Sequence, residues 1–278
     1  MPEQKPFDSE KWIRQIRVKE LPVLRYTRQQ LDGAREQIDN VTARDIVDIV
    51  VQDPLLAVRM IAEIQVIRGQ SLHNDIATIG SSIMMMGIDP FFRTVADVRS
   101  VEEILQDKPQ ALLGALKVIG RSRNAARYAN EWALWRADYD IREITLAALL
   151  RDLAETLLYV LEPSRALEIK ALLTTNPGMR SAEAQKMVLG CTLADIQLQL
   201  CRVWKLPDLL LRLIDDREAG NPRVRNVTLA VTLARHVANG WNDPALPSDL
   251  AEVASFLNID LETLARRLNL SLDPADGN

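Results

Sequence analysis

Residues 141–161 read IREITLAALLRDLAETLLYVL, and their pattern indicates the fold class of the protein. Its apolar residues recur at intervals of three and four positions, which is the spacing of one face of an α-helix. A membrane span would need about eighteen or more apolar residues with few charges. The charges that interrupt the stretch are Arg142, Glu143, Arg151, Asp152 and Glu155. We therefore predict a long helix that does not cross a membrane.

The same helical spacing continues on both sides of this stretch. No segment shows the strict alternation of apolar and polar residues that is typical of a half-buried strand. Further long helices are predicted over Ala111–Trp135, Ala182–Trp204, Leu206–Asp216 and Val224–Gly240, followed by a short pair over Ser248–Leu257 and Leu261–Leu268. The pattern predicts an all-α protein.

Short helices with clear end signals are predicted in the N-terminal third. Thr42 is a capping residue ahead of an apolar face. Asp53-Pro54 combines a capping carboxylate with proline at the first helical position. A further helix is predicted from Asn74 or Asp75 through Met86, and Gly87 should end it by adopting a left-handed conformation.

The composition is that of an ordinary globular chain. Of 278 residues, 47% are hydrophobic and 26% charged, so we expect disorder only at the ends, Met1–Glu10 and Asp273–Asn278. The net charge of -4 disfavours a nucleic-acid partner.

Cys191 and Cys201 are interpreted as buried thiols of a reducing compartment. Because the N-terminus also lacks a signal-peptide pattern, we expect a cytoplasmic protein.

Seven short motifs in a fixed order carry a resemblance to a known family. They are LPVL at 21–24, DIV and QDPLL at 45–47 and 52–56, TIGSSIMMMG at 78–87, AALLRDLA at 147–154, LGCT at 189–192 and WKLP at 204–207. Together they resemble the HDOD family, a helical signalling-output domain related to the HD-type metal phosphohydrolases. The resemblance extends from about Leu21 to about Gly240.

The resemblance implies a multi-helical fold with two lobes. We expect an N-terminal segment over 1–20, an N-terminal helical lobe over 21–108, an HD-like lobe over 109–240, and a C-terminal helical extension and tail over 241–278. It further implies a role in bacterial signal transduction through protein contacts.

The departures from the HD pattern concern the metal ligands. Phosphohydrolases of that type need several His and Asp side chains around one or two metals, which activate water and neutralise phosphate charge. Only His73 and His236 are present. By the resemblance, the ligand positions fall on Arg121, Arg151, Asp152, Leu193, Arg217-Glu218 and Arg235. Asp152 is then the surviving carboxylate of the HD pair.

Arginine cannot ligate a metal, because its guanidinium group stays protonated and offers only donors. We therefore predict no bound metal, no cofactor, no catalytic residue and no enzymatic activity. The candidate residues of the degenerate pocket are Arg121, Arg151, Asp152 and Arg235. Their convergence would give either an internal salt-bridge network or an anion site that receives a phosphate group.

The function expected from these observations is that of a regulatory protein-interaction scaffold without metal, whose partner is a protein of a signalling pathway. Alternatives are a sensor that binds a phosphate-bearing or nucleotide ligand at the arginine cluster, and a divergent metal-dependent phosphohydrolase. A third is weak DNA binding through the C-terminal helices, although nucleic acid is disfavoured by the charge. No membrane partner is expected. The oligomeric state and the pathway stay open.

Overall fold

The computed structural model describes residues 6–68 and 78–268, and within these ranges every regular element is a helix. The only β-type contact there is one isolated parallel bridge between Val23 and Ser100. The helices are α1 Ser9–Gln15, α2 Arg25–Glu36, α3 Ala43–Val50, α4 Pro54–Arg68, α5 Ile79–Met86, α6 Ile88–Thr94, α7 Val101–Ile104, α8 Pro109–Trp135, α9 Ile141–Leu150, α10 Leu153–Leu161, α11 Pro163–Thr175, α12 Ser181–Leu189, α13 Leu193–Val203, α14 Asp208–Ile214, α15 Pro222–Val237, α16 Leu246–Leu257 and α17 Leu261–Arg267, with short 3-10 helices at Val18–Glu20, Ile38–Asn40 and Asp216–Glu218. The all-α prediction is confirmed.

The predicted helix ends in the N-terminal third are confirmed by their capping groups. The Thr42 hydroxyl accepts from the N–H of Asp45 and so caps α3. The buried Asp53 carboxylate accepts from Leu55 N–H at the start of α4, and also from Leu24 N–H at 2.7 Å. Asp53 therefore fastens the 21–24 segment to a helix end.

The next helix of the described residues is α5, which ends at Met86 as predicted. Thr78 caps α5, which begins at Ile79, while the predicted starts at Asn74 and Asp75 lie outside the described residues, as does His73. Gly87 follows the end of α5 with a φ of +84°, a conformation that L residues rarely adopt.

The 27-residue helix α8 is the central element of the C-terminal region and packs against α9, α10, α11 and α15. Its contact with α10 is very close, because a Cβ atom at Gly114 would lie 2.2 Å from the ring of Tyr159. Trp132, fully buried, stacks on Tyr128 one turn earlier. These contacts position the α8 face that bears Arg121 toward α10.

Two helices predicted as continuous are each divided in two. The stretch 141–161 forms α9 and α10, which are separated at Arg151-Asp152. The stretch 182–204 forms α12 and α13, and Gly190 between them has a left-handed φ of +74°. Helix α11, Pro163–Thr175, was not predicted at all.

The disorder predicted for Met1–Glu10 is wrong from Phe7 onward. Helix α1 begins at Ser9, and Trp12 and Ile13 are buried. The Nε1–H of Trp204 donates to the carbonyl of Ile16 at 3.5 Å, so this segment is part of the folded body. Residues 1–5 and the predicted tail, Asp273–Asn278, lie outside the described ranges.

Buried apolar side chains from the N-terminal segment, both predicted lobes and the C-terminal helices form one continuous cluster. The boundaries proposed at 20, 108 and 240 therefore stay predictions. Among the helices of the described ranges, none has the length and apolar character that crossing a membrane requires. Cys201 is buried, and burial raises the pKa of its thiol to about 12, whereas Cys191 is only half-buried.

Candidate functional site

The break between α9 and α10 is stabilised by the side-chain amide of Gln197 on α13. Its Nε2 donates to the carbonyl of Leu150 at 3.0 Å, and its Oε1 accepts from the N–H of Ala154 at 2.8 Å. Backbone groups at helix ends lack intrahelical partners and cost free energy when they are buried unpaired. One buried amide therefore satisfies both ends of the break, which places Asp152 at the start of α10.

Asp152 is the centre of an ion-pair network, and its side chain is only 5% exposed. Its Oδ2 accepts from Nε of Arg121 on α8 at 2.9 Å and from Nε of Arg235 on α15 at 3.3 Å. Its Oδ1 accepts from Nη2 of Arg235. Arg121 also donates through Nη2 to Glu155. We call these four residues the Asp152 cluster.

Electrostatic balance characterises the Asp152 cluster. Burial by itself raises the pKa of the Asp152 carboxyl, but the charges of Arg235 and Arg121 and their hydrogen bonds hold that pKa well below its ordinary value. Burial likewise opposes the charge of Arg121, and Glu155 and Asp152 more than offset it, which raises the arginine pKa. Two cations face two anions, so the cluster has no formal net charge.

Arg151 does not join the Asp152 cluster. Its side chain is 11% exposed and donates to Oδ2 of Asp216, whose Oδ1 accepts from the Thr228 hydroxyl at 3.1 Å. The Asp216 side chain is 52% exposed, so this ion pair lies at the surface. Of the four candidate pocket residues, Arg121, Asp152 and Arg235 contact one another. The fourth, Arg151, forms a separate ion pair.

Two further residues of the site, Glu155 and Gln197, were not predicted from the sequence. Glu155 lies three residues after Asp152 and so shares its helix face, which was a usable signal. Gln197 is 1% exposed and lies among the buried Ile196, Leu200 and Cys201. A polar residue on an otherwise apolar helix face indicates a buried hydrogen-bonding role for Gln197. The sequence does not indicate that its partners are the backbone groups of Leu150 and Ala154.

The donor set at Asp152 does not fit a metal ion. Its carboxylate oxygens are engaged by guanidinium groups, which repel a divalent cation. Within residues 6–68 and 78–268, no group of three or more His, Cys, Asp or Glu side chains is arranged to hold a metal. His236, next to Arg235 on α15, is hydrogen-bonded through Nδ1 to Asp249.

The family model described as the HDOD domain matches residues 21–219. The chain belongs to the HDOD domain family. None of the curated proteins matches it at a significant level.

Solved structures of low sequence identity share the fold of this HDOD domain protein. The MmoQ response regulator from Methylococcus capsulatus strain Bath has a TM-score of 0.65 at 18% identity, covering 91% of this chain and 99% of that one. A virulence factor from Campylobacter jejuni subsp. jejuni has a TM-score of 0.59 at 17% identity, covering 96% and 94%. Both alignments extend beyond 21–219, so the fold includes more than the family match.

Proposed function

We propose that this HDOD domain protein is a non-catalytic regulatory protein of bacterial signal transduction that acts by binding a partner protein. The observation that supports this proposal is the pairing of both Asp152 oxygens with Arg121 and Arg235. Family membership supports the signalling role, and the response-regulator description of the MmoQ protein agrees with it. The cytoplasmic location is part of the same proposal.

Hydrolysis of a phosphoester at a metal centre requires a metal-bound water of lowered pKa and a cation that neutralises the phosphoryl oxygens. At Asp152, arginine side chains could neutralise the phosphoryl oxygens. They could not supply a water of lowered pKa, since guanidinium groups do not activate water. The nearest other carboxylate of the cluster, Glu155, is itself paired with Arg121. This chemistry supports a binding role.

The charge balance of the Asp152 cluster does not favour the phosphate sensor. An anion site needs uncompensated donors, whereas both arginines here already donate to carboxylates. A phosphate group would have to displace Asp152, which is almost completely buried. The sensor is therefore the weaker of the two non-catalytic functions.

The proposal is tested by hydrolysis assays on the purified full chain. Bis-p-nitrophenyl phosphate, cyclic dinucleotides and nucleoside triphosphates are offered with Mg²⁺, Mn²⁺ or Zn²⁺ to the wild type, Asp152→Asn and the control Glu168→Gln, an exposed position on α11. We expect the same background rate from all three. Turnover by the wild type and Glu168→Gln that Asp152→Asn lacks, with its fold verified by circular dichroism, would refute the proposal.

A further inference from the structure

The connection between α15 and α16 contains the only Asn-Gly pair of the sequence, Asn239-Gly240. Helix α15 ends at Val237, so both residues lie in a turn that follows the helix. Both are exposed, and asparagine is one of the residue types that are chemically unstable on heating. Water therefore has access to the Asn239 amide and to the peptide bond that follows it.

The residue after Asn239 controls the reactivity of its side chain. When the N–H group of the following residue loses its proton, its nitrogen can attack the side-chain carbonyl carbon, Cγ, of the asparagine. A side chain on that following residue hinders the attack, and glycine has none. Gly240 also has a φ of +111°, a conformation that L residues rarely adopt. The turn therefore requires at position 240 the residue that hinders the attack least.

The backbone of this turn is held by hydrogen bonds that lie beyond the helix. The Gly240 N–H donates to the Val237 carbonyl at 3.0 Å, and the Asn239 N–H donates to the His236 carbonyl at 2.9 Å. Exposed hydrogen bonds at helix ends open locally at a small cost in free energy, without unfolding of the core. Local opening of the turn is sufficient to release the Gly240 nitrogen.

The side chain of Asn239 connects the turn to the start of α16. Its Nδ2 donates to Oδ2 of Asp243 at 2.9 Å, and Oδ1 of Asp243 accepts from the N–H of Ala245, the residue before α16, at 2.9 Å. The hydrogen bond from Asn239, together with the one from Ala245, holds the pKa of the Asp243 carboxyl below its ordinary value. The Asn239 amide therefore donates to a carboxylate that is ionised at neutral pH.

We propose that Asn239 is a site of spontaneous deamidation, and that its product weakens the attachment of α16 to α15. The Gly240 nitrogen loses its proton and forms a bond to Cγ of Asn239. The Cγ–Nδ2 bond breaks, and Nδ2 takes up a proton and leaves as ammonia. Water then opens the five-membered succinimide at one of its two carbonyl groups, which gives aspartate or isoaspartate at position 239.

The product replaces a hydrogen-bond donor by a negative charge. The new carboxylate at position 239 and the Asp243 carboxylate repel each other where Nδ2 of Asn239 had donated. In isoaspartate the main chain also passes through the side-chain carbon, which lengthens the turn by one CH₂ group. Because α15 and α16 pack against each other through this connection, we expect α16 to separate from α15 more often after the reaction.

The first test follows the chemistry in the purified full chain. The protein is kept warm in mildly basic buffer, which favours loss of the amide proton, and its peptides are identified by mass spectrometry. We expect aspartate and isoaspartate at position 239, whereas Asn176 and Asn221 stay intact. Each of these two precedes a proline, whose nitrogen carries no N–H. Amide loss at 239 no greater than at 176 and 221 would overturn the proposed site.

The second test measures the consequence with Asn239→Asp, which carries the product's charge. The control Asn242→Asp adds the same charge at an exposed position of the same turn, whereas the hydrogen bond to Asp243 comes from Asn239. Hydrogen exchange of α16 should be about three- to tenfold faster in Asn239→Asp than in the wild type, which is the effect of losing one hydrogen bond. Exchange in Asn242→Asp should stay close to the wild-type rate.

Equal exchange rates in the three proteins, or the same acceleration in both variants, would overturn the proposed weakening of α16. High salt should reduce the effect of Asn239→Asp, because it screens the repulsion between the two carboxylates. Neither test depends on the hydrolysis assay. An Asn239 that stays intact would leave the non-catalytic assignment standing, and metal-dependent turnover would leave the deamidation site standing.

Discussion

At the scale of a single residue, the Asp152 carboxylate connects three helices. It begins α10, accepts from Arg121 on α8 and accepts from Arg235 on α15. A buried ion pair contributes little net stability compared with a well-packed apolar group, but removing one partner costs about 3–5 kcal/mol. Because Arg235 is 47% exposed, water screens part of this interaction, and the lower end of that range applies here.

The first prediction concerns stability in acid. The pKa of Asp152 in the folded protein is lowered, so its contribution is complete above the unfolded pKa of about 3.9 and is lost as the pH falls through the folded value. We expect Asp152→Asn to be less stable than the wild type at pH 7, with a difference in unfolding free energy that stays constant from pH 8 to about pH 5 and narrows below about pH 4. Urea unfolding at each pH measures it.

Glu168→Gln is the control for this series and should follow the wild-type profile, because Glu168 is exposed on α11. A difference between wild type and Asp152→Asn that is as large at pH 3 as at pH 7 would contradict the ion-pair account. Other carboxyls with lowered pKa values, such as those of Asp215 and Asp260, titrate equally in both proteins. Comparing variants therefore isolates Asp152.

The sequence predicts part of the site. The family resemblance predicts that Arg121, Asp152 and Arg235 converge, but it does not distinguish a neutral ion-pair network from an anion-binding site. That distinction depends on Glu155, which supplies the second negative charge. Arg151 is adjacent to Asp152 in the chain yet pairs with Asp216, because consecutive residues at a helix break point in different directions.

At the scale of the elements, the contact between α8 and α10 depends on Gly114. A Cβ atom there would overlap the Tyr159 ring, whereas one at Gly120 on the same helix would meet nothing within 4 Å. We predict that Gly114→Ala destabilises the protein by about 1–3 kcal/mol through overpacking. Gly120→Ala should stabilise it by about 0.5–1 kcal/mol through helix propensity. Thermal unfolding of the two variants checks both signs, and equal shifts would contradict the close contact.

Helix ends can be predicted from sequence where the capping residue is close in the chain, and not where the stabilising contact is tertiary. Thr42 and Asp53 cap their helices by accepting from N–H groups two or three residues later. The break within 141–161 contains no glycine or proline that would indicate it. It depends on Gln197, which is more than 40 residues distant in sequence and reaches both sides of the break.

At the scale of the whole molecule, the folded body is larger than the segment that the family model matches. That match covers 21–219, yet Trp12 and Ile13 are buried before it, and Val253 and Leu264 after it. The guanidinium of Arg136 packs over the Phe256 ring and donates to its carbonyl. The flanking helices therefore complete the core.

The prediction at this scale is that a chain starting at residue 21 is strongly destabilised. It would lose the burial of Trp12, Ile13 and Ile16, a loss on the order of 5 kcal/mol at about 1.5–3 kcal/mol for each side chain. That is comparable with the entire stability of many domains, about 5–15 kcal/mol. A chain that lacks only residues 1–5 is the control. Equal urea midpoints for the two truncations would show that α1 is dispensable.

The Gln197 side-chain amide should slow the hydrogen exchange of one backbone N–H group. The N–H groups in the first turn of a helix usually exchange quickly with deuterium, because no carbonyl of the same helix accepts from them. Ala154 lies in the first turn of α10, but its N–H donates to a buried amide oxygen. The Ala154 N–H should accordingly exchange as slowly as the N–H groups in the interior of a helix. Its exchange rate therefore reports whether α9, α10 and α13 separate together.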